Sequence, residues 1–113
     1  MRVKRGLVAH KKHKKLLSLT RGYRGTKRRL VKVAREATLH AGEYAFHGRK
    51  RKKRDFRQLW ITRISEAAKQ EGTSYSKLIA GLTRNNIKLD RKILAELVLN
   101  DRETFRKIVG AAK

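Results

Sequence analysis

Large apolar residues are sparse in the first half of the chain and regular in the second, and the change comes near Phe56. Residues 1–7 (MRVKRGL) show no period and read as an extended arm ending near Gly6. Val8, Leu16, Leu17 and Leu19 are the only large apolar residues of 8–20, where a short helix is expected. Gly22 and Gly25 bracket Tyr23 and Arg24, which predicts a hinge over 21–26 with Thr26 capping the next helix. From Lys27 to Glu71 there is no proline, and the main interruptions are Gly42 and Gly48, so one long helix is expected. Its face first carries Leu30, Ala34, Ala37, Ala41 and Ala45, at steps of three and four. A stripe this small admits close approach and does not suit a bulky coiled-coil seam. From Phe56 the stripe gains bulk through Leu59, Trp60, Ile64, Ala67 and Ala68. Gly72 then fits the position just past a helix end.

Three short helices are predicted beyond it. Tyr75, Leu78, Ile79 and Leu82 share one face after a cap at Thr73 or Ser74. Asp90 caps a helix carrying Ile93, Leu94, Leu97 and Val98. Asn100 and Glu103 form a capping-box pair before Phe105, Ile108 and Val109. The linkers at Asn85–Leu89 and at Asn100 are short, so neighbouring helices fold back on one another. The fold class is all-α: a long basic N-terminal helical extension plus a small C-terminal helical domain. We divide it into an extension (1–57), a joining segment at the end of the long helix (58–72) and a three-helix domain (73–113). About 40 residues is marginal for an independent core, and Trp60 and Ile64 can supplement it; residues 73–113 are nonetheless expected to fold alone as three helices.

Charge changes the picture of the first half. Residues 1–57 hold 21 Lys and Arg against Glu36, Glu43 and Asp55, a formal net of +18; residues 58–113 hold 11 against six, a net of +5. A segment that repels itself this strongly needs a polyanion to fold against, and nucleic acid is the natural one. Three clusters stand out: Lys11, Lys12, Lys14 and Lys15 with His10 and His13; Lys27, Arg28 and Arg29; and Arg49, Lys50, Arg51, Lys52, Lys53 and Arg54. Each sets charge around a helix circumference. A helix docked on a DNA groove needs one basic face, whereas a rod inside folded RNA can use all of them. A solvated charged helix would carry acids at i+4, and only Glu36 and Glu43 are available.

Arg2, Lys4 and Arg5 of the arm, Arg21, Tyr23 and Arg24 of the hinge, and Arg57 join these clusters as candidate RNA contacts. Tyr23, Tyr44 and Phe46 sit in the basic half without apolar neighbours; they either stack on unpaired bases or pack within the bound extension. In the second half the candidates are Lys77, Arg84, Asn85, Asn86, Lys88, Arg91 and Lys92, near the first two short helices.

Other chemistry finds little support. His10 and His13 have metal-pair spacing, but the flanking lysines repel a cation and no third ligand is near, so no metal is expected. The absence of Cys excludes disulfides and thiol chemistry. No apolar run approaches the roughly 20 residues that span a bilayer, and the basic start lacks the apolar region of a secretory signal. Neither glycine-rich phosphate motif occurs, and no spacing links Ser, His and Asp. No enzyme activity and no cofactor are expected.

The stretches MRVKRG, HKKHKKLLSLTRGYRG, EYAFHGRKRKKRDFRQLWITRI and YSKLIAGL…LDRKILAEL, in that order, closely resemble the bacterial large-subunit ribosomal protein L-twenty family. The resemblance runs from residue 1 to about residue 100, and RKRKKRDFRQLWITRI is its most specific part. It implies an extension threaded through large-subunit rRNA, a globular helical domain at the surface and a role early in subunit assembly. It also implies neighbouring ribosomal proteins as partners, no membrane, no homo-oligomer and a cytoplasmic place in the ribosome, bacterial before plastid. Several members repress translation through their own messenger RNA leader, using the C-terminal domain. The alternative is an architectural or regulatory protein on DNA or RNA.

Overall fold

The computed structural model describes residues 6–112, and the arm residues Arg2, Lys4 and Arg5 lie outside that range. The described residues form helices joined by turns, with no strand: α1 (Gly6–Leu19), a 3-10 turn (Gly25–Arg28), α2 (Val31–Gln70), α3 (Tyr75–Arg84), α4 (Arg91–Asn100) and α5 (Arg102–Ala111). The chain divides into two compact units, Met1–Lys50 and Arg51–Lys113, and the division falls inside α2.

In the first unit, α1 begins at Gly6 and takes in Leu7, both expected in an extended arm. The Lys- and Leu-rich sequence of residues 11–17 has good helix propensity and carries the helix back to the glycine. No residue of α1 is buried. The chain then turns as the glycines predict, with Gly22 at φ 83° and Gly25 at φ 69°, where an L side chain would be strained. The Tyr23 N–H donates to the Thr20 carbonyl at 3.1 Å and closes the turn. Thr20 is fully buried, as is Ala34 on α2.

The long helix starts four residues later than expected. Thr26 does not cap it; its carbonyl accepts from the N–H groups of Arg29 and Leu30, both at 2.9 Å, inside the 3-10 turn. Leu30 is the entry residue, and its carbonyl accepts the Ala34 N–H at 2.8 Å. Gly42 and Gly48 do not interrupt α2. The small stripe is covered only in its middle: Ala34 is buried, Ala37 and Ala41 are half-buried, and Leu30 and Ala45 at its ends are exposed.

In the second unit, α2 ends in a Schellman motif. Gly72 takes φ 75°, its N–H donates to Lys69 O at 3.0 Å, and the Thr73 N–H reaches Ala68 O at 2.9 Å. Ser74, not Thr73, caps α3 by accepting the Lys77 N–H at 3.4 Å. Asp90 holds the cap position of α4 through its backbone alone; its side chain makes no capping bond. The expected Asn100–Glu103 box is replaced by Asp101, because Asn100 still belongs to α4. Asp101 accepts the Thr104 N–H at 3.0 Å and the Thr104 hydroxyl at 2.5 Å. Those bonds, the hydroxyl first, hold its carboxyl below the ordinary value of 3.8.

The core joins the end of α2 to α3, α4 and α5 through Ile64, Ala67, Ala68, Leu78, Leu82, Leu94, Ala95, Phe105 and Val109, with Trp60 and Tyr75 packed against it. Each large side chain buried here contributes about 1.5–3 kcal/mol. The bulky stripe predicted from Phe56 begins later than expected. Phe56 and Leu59 are exposed at 46% and 41%, and Ile93 at 43%. Only from Trp60 onward do α3–α5 stand opposite α2.

Gly81 of α3 is buried, and a Cβ there would run into the backbone carbonyl of Ala112. The close packing of α3 on α5 therefore depends on the missing side chain. Gly81→Ala is expected to destabilise this unit by about 1–3 kcal/mol through overpacking. Urea denaturation followed by circular dichroism reads it as a lower midpoint at unchanged slope.

Candidate nucleic-acid interface

Every described Lys and Arg from Lys11 to Arg57 is exposed. Within the first unit the turn gathers some of them. A groove of about 600 Å³ is lined by His10, His13, Lys14 and Leu17 of α1, with Ser18, Arg21, Gly22 and Arg28. Residues from three parts of the sequence thus meet where Gly22 and Gly25 turn the chain back. The lining contains no acid, which suits phosphate oxygens. Lys11, Lys12, Lys15, Arg24, Lys27 and Arg29 lie outside this lining. Among the described residues no group of three or more His, Asp or Glu side chains could hold a metal ion.

A second groove, of about 360 Å³, lies between the turn and α2. Tyr23 and Lys27 come from the turn side. Val33, Ala37 and Ala41 form an apolar floor on α2, and Glu36, His40 and Tyr44 line the same helix at i, i+4 and i+8. The small stripe finds its use here: Ala37 and Ala41 leave room beside Tyr23. Glu36 and His40 were not among the sequence candidates. The signal was present in their spacing, four and eight residues before Tyr44, but Glu36 read as a compensating charge. It compensates none, because no ion pair involves it among the described residues. Glu43 instead lies 3.7 Å from His40 and 3.9 Å from His47.

The run Arg49–Arg54 occupies six successive positions of α2 and so encircles the helix at about 100° per residue. Arg51 lies 3.8 Å from Asp55, with both side chains mostly exposed. Lys50 stands 4.5 Å from the Phe46 ring centre and Lys52 6.0 Å from that of Phe56. Arg57 is exposed one turn on.

In the second unit the seven candidates separate. Lys77 and Arg84 line a groove of about 300 Å³ with Thr73, Ala80, Gly81 and Val109. Lys88 and Lys92 are exposed outside that lining. The other three serve the fold. Arg91 Nε donates to the Tyr75 hydroxyl at 2.8 Å, tying α4 to α3. Asn85 Nδ2 donates to Ala111 O at 2.6 Å, tying α3 to α5. Asn86 takes φ 54° at the end of α3, a left-handed position that asparagine tolerates.

An all-helical fold with a large excess of exposed cations in its first half defines a basic helical protein. Residues 2–108 of the 113 match the family described as ribosomal protein L20. The chain belongs to that family and is a protein of the large ribosomal subunit. No helix among the described residues is long and apolar enough to cross a membrane.

Proposed function

We propose that the chain binds large-subunit rRNA directly and promotes early subunit assembly. Residues 1–57 neutralise phosphate, and the C-terminal helices recognise RNA shape. The observation that carries this reading is the +18 net charge of residues 1–57, with every described Lys and Arg there in solvent. The contacts we assign to the extension are His10, Lys14, Arg21 and Arg28 at the acid-free groove, Tyr23 and Lys27 at the second, and Arg49–Arg54 around α2. Those assigned to the second unit are Lys77 and Arg84 at their groove, with Lys88 and Lys92 beside it.

Repression through the chain's own messenger RNA leader would use that second surface. The pairing of Lys77 with Arg84 over one groove favours it as a further role of the same RNA-binding unit.

The test is gradient sedimentation of a cell extract in high salt. The chain is expected to travel with large subunits and to be released by ribonuclease. Recovery with DNA, or at the top of an untreated gradient, would overturn the proposal.

A further inference from the structure

We infer that the groove between the turn and α2 takes one unpaired nucleobase of the RNA, and that Glu36 makes guanine its preferred occupant. This rests on the RNA-binding reading and deepens it. The two grooves of the first unit differ in a way that charge alone does not explain. The larger is lined by imidazoles and cations, without an acid. The smaller has an apolar floor, two tyrosines, one cation and one carboxylate. A phosphate would meet Glu36 and be repelled. A neutral, flat group with hydrogen-bond donors on its edge meets none of that penalty.

The walls suit such a group. Tyr44 is 72% exposed, so its ring is open to a stacking partner. His40 stacks against it at 6.4 Å between ring centres and 28° between planes, which extends the aromatic surface. Tyr23 lines the groove from the turn side, half-buried, with its backbone held by the N–H bond to Thr20 O. Aromatic faces on a basic surface take unstacked bases. A groove of about 360 Å³ has the size of a small-ligand site. Lys27 shares the lining and can meet the flanking phosphate.

Glu36 selects among bases. Its carboxylate accepts hydrogen bonds and offers none. Guanine presents two adjacent donors, N1–H and the N2 amino group, and can engage both oxygens. Adenine and cytosine present one amino donor beside an acceptor, and uracil one N–H between two carbonyls. An acceptor placed against a carboxylate is repelled, so the order of preference is guanine, inosine, then the rest.

The test uses the full chain and a short RNA hairpin bearing a single bulged nucleotide: guanosine, inosine, adenosine or uridine. The duplex supplies the polyanion, so only the bulge varies. Fluorescence anisotropy at fixed salt is expected to give about tenfold tighter binding for guanosine than for adenosine, with inosine between them. Glu36→Gln should erase the order while leaving the salt dependence as it was. Tyr44→Leu should weaken all four hairpins. A 6-thioguanosine bulge should crosslink within residues 23–44. Equal affinities for the four hairpins, or an order that persists in Glu36→Gln, would overturn the base site and leave the RNA-binding reading standing. Absence of salt-dependent binding to any hairpin would overturn both.

Discussion

Replacing Arg49, Lys50, Arg51, Lys52, Lys53 and Arg54 together by Gln is expected to flatten the salt dependence of RNA binding by up to about 5 in log–log slope. Each phosphate contact releases counterions and adds somewhat under one to that slope. The six side chains are exposed and encircle α2. The one acid beside them, Asp55, holds Arg51 at only 3.8 Å in solvent, too weak a pair to withdraw it from phosphate. Gln keeps helix propensity close to that of Lys and Arg, so the loss is of charge and not of the helix. Affinity should fall by orders of magnitude at low salt, and equally for large-subunit rRNA and scrambled RNA, because phosphate contacts carry no sequence. The contrasting variant changes Lys77 and Arg84 to Gln. Its slope should move by less than about 2, with a larger loss on large-subunit rRNA than on the scrambled control. Arg91, Asn85 and Asn86 are left intact there, since each holds the fold. A salt titration of both variants against both RNAs decides the matter. Equal slopes would show that charge neutralisation and shape recognition are not divided between the two halves of the chain.

The fold class and the helices were legible because proline is absent and the apolar steps are regular; Gly22 and Gly25 marked one turn and Gly72 another, because glycine takes the left-handed conformation these turns need. Caps were harder. Thr26, Asp90 and Asn100 all have the right chemistry for the role, but local backbone geometry chose Leu30, the Asp90 carbonyl and Asp101. Periodicity also placed Phe56 and Leu59 on the buried face. Phe56 lies about two turns before Ile64, ahead of the covered stretch, whereas Leu59, five residues before Ile64, points about 140° round the helix from it; a sequence pattern gives the face of a helix without giving how far along it the partner reaches. The basic clusters were legible as charge. Their grouping was not, because Arg28 reaches His10 and Lys14 only through the turn. The intramolecular bonds of the second unit's polar candidates were not legible for a related reason: Asn85 and Arg91 look free in sequence, and their partners Ala111 and Tyr75 lie 26 and 16 residues away.

A fragment starting at Thr73 is expected not to fold, which reverses the sequence expectation that residues 73–113 fold alone as three helices. The reason is the share of the core that α2 supplies. Ile64 and Ala68 are fully buried and Ala67 nearly so, in one cluster with Leu78, Leu94 and Phe105. Removing α2 exposes the faces of α3, α4 and α5 that meet those residues. It also removes Glu71, whose carboxylate accepts from Arg106 Nε at 3.1 and 3.2 Å. That pair is half in solvent and contributes little, so the core decides the outcome. A unit of this size has a net stability of about 3–9 kcal/mol, and Ile64→Ala alone costs about 2–5 kcal/mol. Losing Ile64, Ala67, Ala68 and the cover of Trp60 together exceeds what remains. Residues 51–113 should therefore melt in one cooperative transition by circular dichroism, Ile64→Ala in that fragment should lower the midpoint steeply, and residues 73–113 should show a sloping baseline and collapsed amide dispersion by NMR. A cooperative melt of 73–113, or an Ile64→Ala midpoint equal to that of the parent fragment, would place the boundary of the folding unit at Gly72 and make the end of α2 a passive neighbour.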